Sequence, residues 1–169
     1  KTARYLWMGT FHSVFSRILR AEEGKTGFTK NFTIYDSSDS ASLIKSIIKE
    51  MKLDDKVYKP GFVHSRISFA KNNLITHEAY RANADYQKAD SNARIPLLKE
   101  IYTTYCNRCK QADAMDFDDL LLQTNLLFRN HPEVLHKYQN AFGYILVDEY
   151  QDTNFAQYLI VKKLAEQHE

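Results

Sequence analysis

Two adjacent carboxylates, Asp148 and Glu149, are the residues of this chain whose types and spacing best suit catalysis. They directly follow residues 144–147, four apolar residues without a polar break. Such a run predicts a strand buried on both faces of a parallel sheet, and open α/β sheets bind ligands at the carboxyl ends of their strands. One acid in that position can ligate the magnesium ion that bridges nucleotide phosphates, while the next orients or deprotonates the attacking water. A pair of solvated acids at a strand end is the alternative interpretation of Asp-Glu alone.

The elements around this pair predict an interrupted sheet. Residues 5–8 form a second apolar segment, which predicts a first buried strand, and an amphipathic helix follows Thr10. About 135 mainly helical residues separate the two predicted strands. A parallel crossover needs only about a dozen, so the excess predicts a helical domain inserted into an α/β sheet. Because two strands make an incomplete sheet, we expect the chain to be a fragment of a larger protein.

Composition predicts a folded domain without a membrane span. The 169 residues are 44% hydrophobic and 26% charged, with a net charge of only +2, so any case for nucleic acid depends on local features. There is no apolar run of the roughly 20 residues that a span requires, and no signal peptide is expected. Cys106 and Cys109 fall within a helical pattern, which favours core thiols over a zinc or redox centre and fits a cytoplasmic protein.

A phosphate-binding loop is not predicted anywhere in the sequence. Gly24-Lys25-Thr26 resembles the end of the motif G-x-x-x-x-G-K-[ST], but Leu19 stands where the first glycine is required. The triplet also follows a helix, whereas the motif follows a strand. The sequence therefore predicts the metal-binding half of an ATP site without the phosphate-binding half.

Three segments together resemble the Rep/UvrD/PcrA family of superfamily 1 DNA helicases. Residues 7–13 (W-M-G-T-F-H-S) resemble the T-F-H-S motif of that family, and residues 115–121 (M-D-F-D-D-L-L) resemble its D-F-D-D-L-L motif. Residues 144–154 end in D-E-Y-Q-D-T-N, a Walker-B-type sequence. The order and spacing of the three segments also fit the family.

The resemblance implies a fold and a division into domains. It implies a mainly α chain with a small parallel β element, in which a partial RecA-like α/β sheet of the P-loop NTPase type carries a helical inserted subdomain. Residues 1–22 and 131–169 would then be parts of the RecA-like 1A subdomain. Residues 23–130 would be the inserted 1B subdomain.

The resemblance also implies roles in an ATP site. Asp148 would ligate Mg²⁺, and Glu149 would act as the catalytic base toward water. Gln151 would sense the γ-phosphate of ATP and couple it to DNA.

Four further residues would contact single-stranded DNA if the resemblance holds. Thr10, His12 and Ser13 would offer donors to phosphates at a helix N-terminus, and Phe117 would stack on a base. Two alternatives stay open: the residues around His12 can form a helix-cap cluster, and Phe117 also fits the apolar stripe of a helix.

The predicted function is therefore that of a fragment of an ATP-dependent 3′→5′ DNA helicase or translocase, inactive alone. Its implied partners are single-stranded and forked DNA and the remaining domains of the same helicase, with no membrane. A non-enzymatic helical module that binds nucleic acid or protein is the first alternative, and a two-carboxylate metal enzyme such as a nuclease is another. The inserted helices carry basic candidates for duplex contact, although a solvated face is the favoured interpretation: Lys45, Lys49, Lys52, Lys56, Lys59, Arg66 and Lys71.

Overall fold

The computed structural model describes residues 6–166, which are mostly helical. In this part of the chain the helices are α1 Phe11–Ala21, α2 Ser37–Glu50, α3 Pro60–Asn72, α4 His77–Ala82, α5 Ala84–Asn92, α6 Leu98–Gln111, α7 Phe117–Asn130, α8 Pro132–Ala141 and α9 Phe155–Ala165. The strands are β1 Thr33–Tyr35 and β2 Ala114–Asp116, and a 3-10 turn covers Tyr150–Asp152.

The chain folds as two compact units. The first comprises the described part of Lys1–Phe32 together with that of Asp119–Glu169, and the second is Thr33–Asp118. The second unit is therefore continuous in sequence and interrupts the first. The assignment of residues 1–22, 23–130 and 131–169 to named subdomains stays a prediction.

The continuous unit has its own apolar core around a short parallel sheet. Strand β1 pairs with β2 in parallel, with Thr33 opposite Ala114 and Tyr35 opposite Asp116, and α2 to α6 lie between them in sequence. Its buried core residues come mainly from α2, α3 and α6: Ile44, Ile47, Ile48, Val63, Ile67, Leu98, Ile101, Tyr102 and Tyr105. The prediction of a mainly helical chain with a small parallel β element is confirmed, although its strands are Thr33–Tyr35 and Ala114–Asp116 and not the two apolar runs.

The two strands predicted from apolar runs are not formed. Residues 6–8 and 144–147 have no strand structure, and Tyr5 lies outside the described residues. Tyr144 and Leu146 are 96% and 97% exposed, so the second run is not buried on both faces either. An apolar run becomes a buried strand only where neighbouring strands bind its backbone and other elements cover its faces. Between residues 6 and 166, neither run has a strand beside it.

Capping residues begin several helices, and among them is Thr76, which the sequence pattern predicts as a cap. Thr10, Thr76 and Asn154 each accept a hydrogen bond from the backbone of the first turn of the helix that follows. Pro60 and Pro132 open α3 and α8, where the missing N–H of proline costs no helical hydrogen bond.

Three helix limits differ from those that the sequence pattern predicts, which are N-caps at Ser38–Ser40, one helix from Thr76 through Tyr86 and a helix from about Asn92. Asp36, and not Ser38–Ser40, caps α2, because Asp36 and Asp39 exchange the two hydrogen bonds of a capping box. The single helix expected from Thr76 to Tyr86 is divided at Asn83, whose side chain caps α5. The helix expected from Asn92 begins only at Leu98.

A buried ion pair ties α3 to β2. The Nζ atom of Lys71 lies 2.7 Å from Oδ2 of Asp116, and the hydroxyl of Tyr105 donates to the same oxygen at 2.7 Å. Burial raises the pKa of Tyr105, as does the charge of Asp116, which keeps the phenol a donor. The prediction that Lys71 belongs to a basic surface is therefore wrong. Lys71 is 0% exposed.

Arg66, another candidate for that basic surface, also forms an ion pair with a carboxylate. It lies 3.0 Å from the buried Asp90, whose two carboxylate oxygens also lie 2.9 and 2.8 Å from the hydroxyl donor of Tyr80. The five lysines of the set, which lie between Lys45 and Lys59, are exposed.

Replacing Lys71 by Met is expected to lower the free energy of unfolding by about 3–5 kcal/mol, because the Asp116 carboxylate stays buried without its positive partner. Urea unfolding followed by circular dichroism measures this. Lys49→Met is the matched control, because Lys49 is exposed on α2 and its replacement should change stability by less than about 0.5 kcal/mol. Equal stabilities of the two variants would contradict the importance of the ion pair.

Candidate functional site

The N-terminus of α1 presents the first group of candidate residues. Thr10 is the N-cap, and its Oγ1 accepts a hydrogen bond from the N–H of Ser13 at 3.3 Å. The hydroxyl of Ser13 donates in turn to the carbonyl of Thr10 at 2.8 Å. Thr10 and Ser13 are exposed and His12 is half-buried. The helix therefore begins with a fixed cap whose hydroxyls and first-turn N–H groups lie at the surface, a suitable arrangement for an anion.

Gly9 permits this cap. Its φ is +152°, and a Cβ atom added to it would lie 2.2 Å from Oγ of Ser13. A side chain at position 9 would displace the Ser13 hydroxyl from the Thr10 carbonyl.

The other end of α1 is anchored by a buried carboxylate. Glu22 accepts hydrogen bonds from Lys137 at 2.6 Å, from Lys25 at 2.9 Å and from the hydroxyl of Tyr138 at 3.2 Å. Burial acts to raise the pKa of Glu22, but the hydrogen bonds from the two lysines outweigh it and the pKa lies below its usual value. Because Lys137 and Tyr138 belong to α8, these bonds fix α1 within its unit.

The acidic segment forms a tight turn rather than a strand end. Glu149 has left-handed backbone angles (φ 49°, ψ 43°), which cost an ordinary residue about 1–2 kcal/mol. The carboxylate of Asp148 accepts from the N–H of Glu149 at 3.0 Å, and the carbonyl of Glu149 accepts from the N–H of Asp152 at 2.9 Å. The side chain of Gln151 donates to the Glu149 carboxylate. Two of the predicted catalytic groups are therefore in direct contact.

A cleft within the first unit brings part of the two groups together. Its volume is about 440 Å³, and it is lined by Gly9, Thr10, Phe11, His12, Leu146, Val147, Asp148 and Gln157. Thr10 and His12 therefore share a cleft with Asp148. Ser13, Glu149 and Gln151 do not line it.

Gln157 was not predicted as a site residue. The sequence did carry a signal, since Asn154 and Gln157 have the spacing of a capping box and form one at the start of α9. The hydrogen bonds of this capping box fix the position of Gln157 in the wall of the cleft.

The donor chemistry at Asp148 fits a magnesium ion. Mg²⁺ is usually bound by one or two carboxylates, with substrate phosphates and water completing its shell. The Asp148 carboxylate is exposed, and one of its oxygens accepts from Glu149 N–H, which leaves lone pairs for a cation. Among residues 6–166, no three or more His, Cys, Asp or Glu side chains are arranged to hold a metal by themselves.

Phe117 belongs to the other unit and is the first residue of α7. Its side chain is 43% exposed, so packing in the interior of an apolar stripe does not describe it. It lines a polar pocket of its own unit together with Ser68, Asp116 and Asp118.

The alternative of a two-carboxylate nuclease gains no support from Asp116 and Asp118. The Asp116 carboxylate is bound by Lys71 and Tyr105, and that of Asp118 accepts from Asn72.

None of the described helices is long and apolar enough to cross a bilayer.

Comparison with known proteins identifies the family of the chain. The sequence profile of the UvrD/REP helicase N-terminal domain matches residues 1–169. The chain is 43% identical over 164 residues to the ATP-dependent DNA helicase PcrA of Leuconostoc citreum, covering 97% of this chain and 21% of that protein. It is 44% identical over 163 residues to the protein of the same name from Staphylococcus aureus strain Mu50, covering 96% of this chain and 22% of the relative.

The chain therefore belongs to the UvrD/REP helicase N-terminal domain family. It spans about a fifth of the length of the curated relatives that it matches. The family resemblance carried by the three sequence motifs is confirmed.

Replacing Gly9 by Ala is expected to lower the free energy of unfolding by about 1–3 kcal/mol, because the positive φ becomes strained and the new Cβ meets Ser13. Thermal or urea unfolding measures the loss. Gly61→Ala is the matched control, because a Cβ there meets nothing within 4 Å in the first turn of α3. A Gly9→Ala protein as stable as the Gly61→Ala protein would contradict the packing described for the cap.

Proposed function

We propose that this chain is part of an ATP-dependent 3′→5′ DNA helicase or translocase, to which it contributes the metal- and water-activating half of the ATP site and part of the path of single-stranded DNA. The cleft that Thr10 and His12 share with Asp148 is the observation that carries the proposal. It joins donors suited to a phosphate backbone with a carboxylate suited to the metal of a nucleotide. Family membership and the names of the relatives support the same function.

Asp148 would hold Mg²⁺ together with the phosphates of ATP. Bound there, the ion would neutralise charge that develops on the phosphates during hydrolysis. The residues of the chain would do the rest. Glu149 would accept a hydrogen bond or proton from the attacking water, and Gln151, which contacts the Glu149 carboxylate, would position that carboxylate and respond to the γ-phosphate.

The DNA part of the proposal uses the N-terminus of α1. The Thr10 hydroxyl and the imidazole of His12 are donors beside N–H groups at a helix start, and the Ser13 hydroxyl would join them by turning away from the Thr10 carbonyl. Such contacts hold a phosphate backbone without reading sequence. The same helix is fixed at its other end by Glu22, so the donors occupy a defined position.

Two observations support the proposal that ATP hydrolysis requires protein segments outside this sequence. No glycine-rich phosphate loop is present in the 169 residues, and the relatives are about five times as long as the matched region. We propose that a phosphate-binding loop and a second RecA-like domain outside this sequence complete the ATP site, and that residues 1–22 and 131–169 pack into the first such domain.

The first functional test concerns Glu149. In the longer protein that carries this chain, Glu149→Gln is expected to lower kcat for ATP hydrolysis by about 10²–10⁴-fold, because a carboxamide cannot accept the proton of water. Steady-state ATPase assays with Mg²⁺ measure this, and ATP binding is expected to persist. Glu166→Gln, an exposed acid after α9, is the matched control and should leave kcat unchanged. The 169-residue chain alone should show no turnover. Turnover by the isolated chain that Glu149→Gln abolishes would refute the two-part site.

The second functional test concerns His12. At pH 8, where an ordinary imidazole is neutral, His12→Ala is expected to weaken single-stranded DNA binding about 2- to 10-fold, the worth of one neutral hydrogen bond. The slope of log affinity against log salt should not change, since a neutral donor releases no counterion. Fluorescence anisotropy over a salt series measures both quantities, and His136→Ala on α8 is the matched control. A loss equal in the two variants would contradict a DNA contact at the start of α1.

A further inference from the structure

Two consecutive residues at the end of α3 bind the two carboxylates that flank Phe117. Lys71 contacts Asp116 at 2.7 Å, and Nδ2 of Asn72 donates to Oδ1 of Asp118 at 2.9 Å. The segment that leads into α7 is thus attached to α3 on both sides of the aromatic residue. All five residues belong to one compact unit.

The attachment on the Asp116 side is rigid. Lys71 and Asp116 are buried, Tyr105 binds the same carboxylate oxygen, and the ammonium of Lys71 lies 4.8 Å from the centre of the Tyr105 ring. The backbone of Asp116 is also part of the parallel ladder, opposite Tyr35. Position 116 therefore cannot shift without breaking several buried contacts at once.

The attachment on the Asp118 side is local and nearer to solvent. Asn72 is half-buried, and its amide also donates to the hydroxyl of Ser68 at 3.3 Å, one turn earlier on α3. This bond fixes the first turn of α7 against α3. It can be removed without taking a charge out of the interior.

Between these attachments the Phe117 side chain is 43% exposed at the wall of a pocket. An aromatic ring on a fixed backbone is a good stacking partner for an unpaired nucleobase, because little conformational freedom remains to be lost on binding. A ring on a mobile turn would lose part of that advantage.

We infer that Lys71 and Asn72 are positioning residues for Phe117, holding the start of α7 so that the ring meets a base of single-stranded DNA. The inference rests on the proposed function, together with the stacking of Phe117 on a DNA base that the family resemblance implies. Neither residue needs to touch the DNA itself.

The test uses Asn72→Ala in the longer protein that carries this chain, with Asn73→Ala as the matched control. Asn73 is the next residue, is exposed, and its amide donates only locally, to the carbonyl of Phe69 at 2.8 Å. Single-stranded oligonucleotides with 2-aminopurine at successive positions report stacking by their fluorescence, and anisotropy reports affinity. Phe117→Ala and the double variant Asn72→Ala/Phe117→Ala complete a double-mutant cycle.

The expected result has three parts. Phe117→Ala weakens binding about 5- to 100-fold and removes the stacking signal at one oligonucleotide position. Asn72→Ala reduces the same signal and weakens binding about 3- to 10-fold, while Asn73→Ala does neither. In the double variant the loss equals that of Phe117→Ala alone. A variant that only perturbs the fold elsewhere would not change the 2-aminopurine fluorescence at that one oligonucleotide position.

Rescue by a conservative variant provides a second arm. Asp118→Asn keeps an oxygen that accepts from Asn72 and should retain the stacking signal, whereas Asp118→Leu removes the acceptor and should lose it. Unfolding curves identify any variant that fails to fold, and the Asn72 cycle then decides the matter.

Three outcomes would overturn the inference. If Phe117→Ala removes the signal but Asn72→Ala leaves it intact, positioning by Asn72 is wrong and the proposed DNA contact survives. If the losses of Asn72→Ala and Phe117→Ala add in the double variant, Asn72 acts independently of the ring. If Phe117→Ala changes neither signal nor affinity, the stacking role proposed for Phe117 fails, and positioning fails with it.

Discussion

The ion pair of Lys71 with Asp116 is the interaction on which the continuous unit depends most. A charge taken out of water is costly unless an opposite charge and further hydrogen bonds compensate it, and here the hydroxyl of Tyr105 adds a hydrogen bond to the Asp116 carboxylate. The pair joins the end of α3 to β2 and so fixes the point at which the chain leaves the helical unit. Apolar packing among α2, α3 and α6 would allow several registers of that exit, whereas a buried charge allows one.

In the other unit, side-chain hydrogen bonds fix both ends of α1. Glu22 at its C-terminal end binds Lys137 and Tyr138, while Thr10 and Ser13 close its N-terminal end. A helix held at both ends can present its first-turn donors in a constant direction. The acidic segment faces the same cleft through Asp148, although no strand supports it in residues 6–166. Local turn hydrogen bonds, rather than a sheet, give that segment its shape.

Local signals in the sequence predicted local structure well. Thr76 was expected as a cap and is one, and the cap cluster considered around His12 forms with Thr10 as the N-cap, because a cap depends only on a side chain and the next three residues. The break at Asn83 was missed, although the same rule explains it, because the Asn83 side chain accepts hydrogen bonds from the N–H groups of Asp85 and Tyr86. The motifs predicted a magnesium ligand at Asp148 and a DNA contact at Thr10; the two residues line one cleft, and their roles stay predictions.

Predictions that depend on distant partners were less successful. Lys71 fits a basic helix face by spacing, but its partner lies 45 residues further along the chain, and periodicity carries no information on such a contact. Burial of residues 144–147 likewise depends on what covers them, and Tyr144 and Leu146 are almost fully exposed. The contacts that attach Asp116 and Asp118, on either side of Phe117, to α3 could not be predicted from the D-F-D-D-L-L motif alone.

The left-handed conformation of Glu149 sets stability against activity at a single position. Glycine or asparagine would adopt those backbone angles more easily, so either would relieve about 1 kcal/mol of strain. Either would also remove the Glu149 carboxylate. Selection for thermostability alone would therefore favour exchanges there that silence the proposed chemistry. Libraries designed to stabilise this protein should leave that codon unchanged.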